Sequence, residues 1–246
     1  MPEKLFIGTS GWNYYDWKGH FYPEELKPKE YLAHYAKHFH TTEVNYSFYH
    51  LPRPTTYQNW AAQVPEDFVF SVKASRLITH IRRLREVTEA WQQFVEIASV
   101  LGRRLGPILL QFPPSFKKNS ELLAAFLHEN HHLKESKGLC LAFEFRHAGW
   151  FDREVCDILK KHGSALVVAH SLRYPQAPFV ATARFVYLRL HGPGALFASS
   201  YPVDQLRDWA AQVKSWMDSG KSVYVYFNND FHGYAIENAT NLAGLI

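Results

Sequence analysis

The sequence contains few of the residues that cross-link or anchor a small protein. Only two of its 246 residues are cysteine, Cys140 and Cys156, and they do not form a CxxC spacing. Two thiols cannot staple a chain of this length, so we interpret both as reduced core residues of a cytoplasmic protein. No apolar run approaches the ~20 residues of a membrane-spanning helix. The opening segment MPEKLFIGTSGW also lacks the order of a signal peptide, so the sequence predicts no membrane partner.

Common cofactor and metal motifs are also missing. The first predicted strand-to-helix turn reads GTSGW rather than GxGxxG, which gives no indication of a dinucleotide site. No HExxH or comparable spacing is present, and we assign neither a cofactor nor a metal. A site of nitrogen and oxygen ligands built from strand-end histidines with Glu43 and Glu144 is kept as an alternative. Those histidines are His80, His147, His170, His191 and His232.

The chain does contain an ordinary globular balance of residues with many aromatic side chains. Hydrophobic residues make up 47% and charged residues 20%, which excludes a disordered chain. The length suffices for one large core. The net charge of +4 favours an anionic ligand without requiring one.

Short runs rich in Val, Ile, Phe and Tyr are predicted strands. They cover residues 4–10, 42–48, 68–74, 107–112, 139–145, 164–170, 185–191 and 222–228. Stripes with a period near 3.6 predict helices between most of them. These cover residues 28–39, 54–63, 86–101, 120–131, 152–163 and 203–218, and a last helix from residue 235 onward. Ser120 and Asp152 are the predicted N-caps of two of these helices.

Alternating strands and helices predict an α/β protein with parallel strands. Eight strands in this length are typical of a single (β/α)8 TIM-barrel-like domain, here expected over residues 1–246. A doubly wound open sheet is the alternative. Two prolines in residues 172–184 leave little room for a helix, so we expect an irregular connection between the sixth and seventh strands.

One face of most predicted strands stays apolar, while the other becomes polar near the C-terminal end. Side chains alternate along a strand, so Glu144 and Arg146 share the face opposite Phe143 and Phe145. In a parallel barrel these ends gather at one rim, which is where the architecture holds its chemistry. Any single residue could equally be a solvated strand end, but the repeated change favours a shared pocket. The predicted ring contains Glu43, Asn45, Lys73, Gln111, Glu144, Arg146, His170, Arg189, His191 and Asn228.

Two loop segments would lie above this rim. The aromatic segment 12–22 is interpreted mainly as a small loop core, with Trp12 and Trp150 favoured as pocket walls because each closely follows a strand. The basic segment 76–85 is interpreted mainly as an exposed surface. A nucleic-acid contact by this segment is the less favoured alternative.

Seven ordered segments resemble the YecE-like family, the domain of unknown function numbered 72. They are GTSGW (8–12), EVNYSFYHLP (43–52), FSVKAS (70–75), LLQFPPSF (109–116), EFRHAGW (144–150), YLRLHG (187–192) and VYFNND (225–230). The resemblance covers nearly all of the chain and implies a TIM-barrel-like fold without an established activity. The positions it points to are Trp12, Glu43, Asn45, Lys73, His80, Gln111, Glu144, Arg146, Trp150, Arg189, His191, Asn228 and Asn229.

The favoured hypothesis is an enzyme that acts on a small polar or anionic substrate, such as a phosphorylated sugar or a nucleotide, by hydrolase, isomerase or lyase chemistry. The predicted catalytic residues are Glu43, Glu144, Lys73 and His191, with either glutamate as general acid or base. The predicted substrate-binding residues are Trp12, Asn45, His80, Gln111, Arg146, Trp150, His170, Arg189, Asn228 and Asn229. Lys73 is also a less favoured Schiff-base candidate.

Two alternatives remain at this point. One is a metal-dependent phosphoesterase or nuclease. The other is a non-catalytic module that binds a small ligand or nucleic acid. The sequence assigns no oligomeric state.

Overall fold

The computed structural model describes residues 4–194 and 197–246, in which parallel strands alternate with helices. The strands are β1 (Leu5–Thr9), β2 (Thr41–Val44), β3 (Val69–Lys73), β4 (Leu105–Gln111), β5 (Leu141–Glu144), β6 (Ala165–Leu166), β7 (Val168–His170), β8 (Phe185–Leu190) and β9 (Ser222–Phe227). The helices are α1 (Tyr31–Tyr35), α2 (Tyr46–Tyr49), α3 (Pro54–Ala61), α4 (Thr88–Ala98), α5 (Ser120–Glu129), α6 (His131–Lys137), α7 (Arg153–Lys161), α8 (Val203–Asp218) and α9 (Tyr234–Leu245). Each predicted strand overlaps an observed strand, although β2 and β4 begin one and two residues before their predicted ranges, and the predicted sixth strand is divided into β6 and β7.

The strands pair in parallel in two runs, β2-β3-β4-β5-β6 and β7-β8-β9-β1. Neighbouring residues at the strand ends stand in register, for example Gln111 of β4 with Glu144 of β5, and Arg189 of β8 with Tyr226 of β9. Parallel strands in register finish at the same edge. The C-terminal ends therefore form one rim, as the sequence predicts.

Side chains join β1 to β2 where the backbone ladder is interrupted. The Tyr35 hydroxyl accepts from the Thr9 amide at 2.9 Å and donates to the Thr41 carbonyl oxygen at 3.0 Å. The Thr42 hydroxyl donates to the Thr9 carbonyl oxygen at 3.1 Å. Gly8 is required here, because a Cβ atom would lie 2.2 Å from the Thr41 carbonyl oxygen. This seam brings the two strand runs together.

The predicted irregularity between the sixth and seventh strands is confirmed. Residues 171–184, all of which are described, contain no helix. Thr182 takes the place of a strand neighbour, since its hydroxyl accepts from the Leu166 amide at 2.7 Å and donates to the Ser164 carbonyl oxygen at 2.7 Å. The chain thus satisfies the backbone of β6 without a regular ladder.

The strands surround an interior cluster that is separate from the larger core beneath the helices. The interior cluster contains Leu109, Ala142, Ala165, Val167, Ala183, Phe185, Tyr187 and Tyr226. Hydroxyl contacts cross it, with Tyr187 2.7 Å from Ser71 and Tyr226 2.7 Å from Thr41. Contacts across the interior between both strand runs are those of a TIM-barrel-like fold, so the open-sheet alternative is wrong.

Three local predictions need correction. The second strand ends at Val44 and is followed by α2, because Asn45 has helical backbone angles (φ −92°, ψ −15°). The predicted helix 28–39 forms only a 3₁₀ turn, Pro28–Glu30, and the short helix α1. Asn119 rather than Ser120 caps α5, since its side chain accepts from the Leu122 amide at 2.9 Å.

Candidate functional site

A cavity of about 700 Å³ opens at the C-terminal rim of the barrel. A cavity of this size suits a small ligand. Seven of the predicted site residues line it: Asn45, Lys73, His80, Gln111, Arg146, Arg189 and Asn228. The strand ends therefore bring together most of the ring that the alternation rule predicts.

A buried ionic network forms the floor of this cavity. Arg189 Nε and Nη2 donate to the two Glu43 carboxylate oxygens at 2.9 and 2.7 Å, and Arg189 Nη1 donates to Glu144 Oε2 at 2.6 Å. Arg146 Nε donates to Glu144 Oε1 at 2.8 Å. Arg189, Glu43 and Glu144 are each at most 1% exposed. The two guanidinium groups balance the two carboxylates, which buried charges require.

Glu43 is fully occupied by donors from this chain. Besides Arg189, the Ser10 hydroxyl donates to it at 2.8 Å and the Tyr187 hydroxyl at 2.7 Å. Four donors saturate a carboxylate that also lies out of contact with solvent. Glu43 therefore holds Arg189, Ser10 and Tyr187 in position. In this geometry neither of its oxygens has a free lone pair with which Glu43 could act as the predicted general acid or base.

Glu144 is held as a carboxylate. Burial opposes its ionisation, but the positive charges of Arg189 and Arg146 prevail and hold the pKa of the Glu144 carboxyl well below its usual range. A carboxylate stabilised this strongly is a poor proton acceptor at neutral pH. In this geometry Glu144 holds Arg146 and Arg189 in place, which favours a positioning role over the predicted acid–base role.

Lys73 differs from the network that it adjoins. It ends β3 and lines the cavity, with Nζ 4.3 Å from the centroid of the Phe48 ring. It forms no ion pair with any residue in 4–194 or 197–246. Burial, and then the positive charge of Arg189, lower the pKa of the Lys73 amine to about 7. Both the neutral and the charged amine are therefore present at neutral pH.

Two predicted histidines are held neutral beside Lys73. Burial, together with the charge of Lys73, lowers the pKa of His80 to about 4. Burial, followed by the charge of Arg189, lowers the pKa of His191 well below its usual range. Asn228 Nδ2 lies 3.0 Å from His191 Nδ1 and links this side chain to the cavity wall. The neutral His80 imidazole lines the cavity and suits hydrogen bonding to a polar ligand, whereas His191 is fully buried and does not line it.

Asp230 is a cavity residue that the predicted site does not contain. Its Oδ1 is buried without a hydrogen-bond partner in the described part of the chain, and burial raises the pKa of its carboxyl to about 8. The sequence carried a signal for it, because Tyr226, Asn228 and Asp230 continue the same alternation beyond β9. Tyr14 was likewise interpreted as part of a loop core, yet it lines the cavity.

His170 does not reach the cavity. It lies on the same side of β7 as Val168, which packs under the helices, whereas Ala169 packs against the interior cluster. Its Nδ1 is 2.7 Å from the Tyr201 hydroxyl, and its ring meets the edge of Trp209. The structure thus places His170 outside the cavity that was predicted to include it, because strand alternation turns the side chain outward.

Trp150 and Asn229 also lie outside the cavity lining. Trp150 is fully buried, stacks on Phe145 at 4.1 Å and donates from Nε1 to the Phe116 carbonyl oxygen at 2.7 Å. Asn229 Nδ2 donates to Asn238 Oδ1 at 2.9 Å and so ties the rim to α9. Both side chains contact other parts of the fold: Trp150 does not form the predicted pocket wall, and Asn229, a predicted substrate-binding residue, does not line the cavity.

Trp12 lies in a neighbouring groove of about 560 Å³. Its ring meets Trp60 edge-on at 5.1 Å. Asn45 and Tyr14 border both this groove and the main cavity, and Asn45 Oδ1 is buried without a partner in the described residues. Trp12 is thus placed beside the predicted site rather than within it.

The geometry offers little support for the two alternative hypotheses, a metal-dependent enzyme and a nucleic-acid-binding module. The described residues contain no group of three or more His, Cys, Asp or Glu side chains arranged to hold a metal ion. In the basic segment, Arg82 pairs with Glu86 at 3.1 Å, and Arg83 Nη2 donates to the Ser115 hydroxyl at 3.1 Å. Within the described ranges, no helix is both long and apolar enough to cross a bilayer.

Comparisons with known proteins agree with this fold. UPF0759 protein YunF of Bacillus subtilis (strain 168) is 23% identical over 272 residues, which cover 98% of this chain and 94% of YunF. A DUF72 family protein from Thermotoga maritima MSB8 superposes with a TM-score of 0.87 at 29% identity, over 99% of both chains. A family 2 AP endonuclease from Brucella melitensis superposes with a TM-score of 0.60 at 10% identity over 99% of each chain, which shows a shared fold alone. Residues 6–246 match the family model described as "Protein of unknown function DUF72", and the chain therefore belongs to the DUF72 family.

Proposed function

We propose that the protein is an enzyme that performs acid–base chemistry on a small anionic substrate, such as a phosphorylated sugar, at the C-terminal rim. The observation that carries this proposal is the Lys73 amine, which forms no ion pair with the described residues, beside a charge-balanced ionic network. An amine with a pKa of about 7 can accept and return a proton at neutral pH. A purely structural lysine has no need of such an environment.

The unused donors of Arg146 are the reason for proposing an anionic substrate. Its Nε is used by Glu144, whereas its terminal nitrogens form no hydrogen bond within the described residues. It lines the cavity and lies over the Tyr174 ring at 4.2 Å, which fixes the plane of its guanidinium group. A free guanidinium edge is suited to bidentate binding of a phosphate or carboxylate. Arg189, by contrast, has donors committed to both glutamates and is not proposed as an anion ligand.

Asp230 is the proposed general acid, which donates a proton to the substrate. With a pKa of about 8, its carboxyl group holds a proton at neutral pH and can donate it. Lys73 as base and Asp230 as acid are two groups whose environments suit opposite roles, as acid–base catalysis requires.

The test is a substrate screen with paired variants. Wild-type protein is assayed on phosphate esters, sugar-phosphate isomerisation and retro-aldol cleavage. Replacement of Lys73 by Met should reduce kcat about 10²–10⁴-fold, while Lys37→Met, which removes an exposed lysine, should leave it unchanged. Full activity in Lys73→Met would overturn the proposal, as would the absence of turnover across the panel.

A further inference from the structure

We infer that Lys73 acts as a nucleophile, condensing with the carbonyl carbon of a small aldehyde or ketone that also carries an anionic group. This inference rests on the proposed function, since it uses the same cavity and the same neutral Lys73 amine, which here attacks carbon instead of accepting a proton. It narrows the substrate class to carbonyl compounds.

The position of Lys73 supports covalent chemistry. Its backbone is fixed at the end of β3, where the Ser47 hydroxyl donates to its carbonyl oxygen at 2.7 Å. Its Nζ faces the cavity over the apolar Phe48 ring instead of meeting a carboxylate. Lys118 shows the opposite arrangement, because its amine pairs with Asp152 and Glu154. An amine held in a carboxylate pair is protonated and cannot attack carbon.

The carbonyl compound would be held by its anionic group. The unused guanidinium edge of Arg146 lines the same cavity as Lys73. Binding there would fix one end of the ligand and leave its carbonyl carbon for the amine. The cavity of about 700 Å³ accommodates a ligand of this size.

The protons of the condensation can be balanced with residues on the cavity wall. The neutral amine attacks the carbonyl carbon, a C–N bond forms, the C=O π bond breaks, and one amine proton moves to the oxygen to give a carbinolamine. Asp230 then donates its proton to the hydroxyl group, which leaves as water, and the nitrogen lone pair forms the C=N bond. The products are an iminium cation, water and an ionised Asp230, with no change in oxidation state.

The surroundings of Lys73 act on the positive charge of the iminium product in opposite directions. The negative charges of Glu43 and Glu144 both act on the Lys73 nitrogen and favour its positive form. In the free protein, burial and Arg189 oppose that form. The opposing contributions prevail in the free protein and keep the resting amine partly neutral, so the iminium cation needs the negative charge of the bound ligand's anionic group as compensation.

The experiment is reductive trapping at pH 7 with glyceraldehyde 3-phosphate as the probe. The wild-type protein is mixed with limiting probe and sodium borohydride, and peptide mass spectrometry measures the adduct at each lysine. Lys73 should be labelled at least about tenfold more than the exposed Lys37, because an ordinary lysine is almost entirely protonated at this pH. Inorganic phosphate should reduce labelling of Lys73 but not of Lys37. Equal labelling of both lysines, or no adduct at Lys73, would overturn the inference.

Failure of the inference can be separated from failure of the proposed function. A phosphate-sensitive adduct at Lys73 without turnover of any screened compound upholds the inference and overturns the proposed enzyme. Turnover that is lost in Lys73→Met but never yields a trapped adduct upholds the enzyme and overturns the covalent step. Arg146→Gln should reduce labelling of Lys73 and abolish its sensitivity to phosphate, and unchanged labelling would contradict the assigned anion site.

Discussion

The floor and the wall of the cavity lie at the same rim of the barrel but differ in electrostatics. On the floor, Glu43, Glu144 and Arg189 satisfy one another at 2.6–2.9 Å and are almost completely excluded from solvent. On the wall, Lys73 forms no ion pair with the described residues, and the Asp230 Oδ1 atom has no hydrogen-bond partner among them.

This difference separates residues that build the site from residues that can react in it. The Glu43 carboxylate, which accepts from four donors, has no lone pair left for a substrate, and three Arg189 N–H groups are committed to the two glutamates. An unpaired buried group is costly to keep and is frequently associated with function. By this criterion, Arg189 and Glu43 shape the pocket, whereas Lys73, Asp230 and the free edge of Arg146 face the ligand.

Removing Arg189 from the ionic network on the cavity floor should have the largest effect on stability. Replacing Arg189 by Met leaves two buried carboxylates without their shared cation, which typically costs about 3–5 kcal/mol. Urea unfolding measures this loss. Arg207→Met is the matched control, because Arg207 pairs with Asp204 on the surface at 2.8 Å and such pairs contribute about 0–1 kcal/mol. A loss no greater than that of the control would contradict the structural role of Arg189.

Replacing Lys73 on the cavity wall should increase stability, which is the opposite of the effect expected for Arg189. The pKa of Lys73 is about 7 in the folded protein, against 10.5 for an unperturbed lysine amine. Between these pH values the unfolded chain binds more protons, so wild-type stability should rise with pH through this window. Lys73→Met removes the cost of burying the amine and should raise the free energy of unfolding at pH 7 by roughly 2–4 kcal/mol, the upper value corresponding to the full difference between the two pKa values.

The pH dependence provides the control for this prediction. The advantage of Lys73→Met over the wild type should shrink as the pH approaches 10.5. The exposed Lys37→Met variant should show no comparable trend. A Lys73→Met protein that is less stable than the wild type at pH 7 would show that the amine is favourably paired.

Replacing Arg146, whose terminal nitrogens form no hydrogen bond with the described residues, should have the smallest of these effects. Replacing Arg146 by Gln removes the proposed anion ligand and should weaken binding of inorganic phosphate about tenfold, which corresponds to ~1.4 kcal/mol. Calorimetric titration of both proteins measures the change. The Arg207→Met variant should bind phosphate as the wild type does. Equal affinity of Arg146→Gln and wild type would place the anion elsewhere.

Strand alternation predicted the composition of the rim well. Lys73, Gln111, Glu144 and Arg189 each lie on the interior side of a strand near its C-terminal end, so a period of two residues is enough to bring them together. The same rule turns His170 outward, because it shares the side of Val168, and inclusion of His170 in the ring overlooked that parity. Asp230 obeys the rule but lies beyond the predicted strand.

The pairing within the rim could not be predicted from the sequence. Which carboxylate each guanidinium nitrogen reaches depends on distances across the barrel interior, such as the 2.6 Å contact between Arg189 and Glu144. The sequence pattern contains strand order and side-chain direction but no such distances. For that reason both glutamates were expected to be catalytic, whereas the geometry leaves Lys73 as the unpaired group.

The most direct measurement is the titration of Lys73 itself. Reductive ¹³C-methylation of the lysines, with assignment through the Lys73→Arg variant, would allow NMR to follow the Lys73 amine across pH. The contrast between the paired floor residues and the unpaired Lys73 amine predicts a titration midpoint near pH 7 for Lys73. A midpoint close to the ordinary lysine value of about 10.4 would contradict it, because Lys73 would then be an ordinary protonated cation.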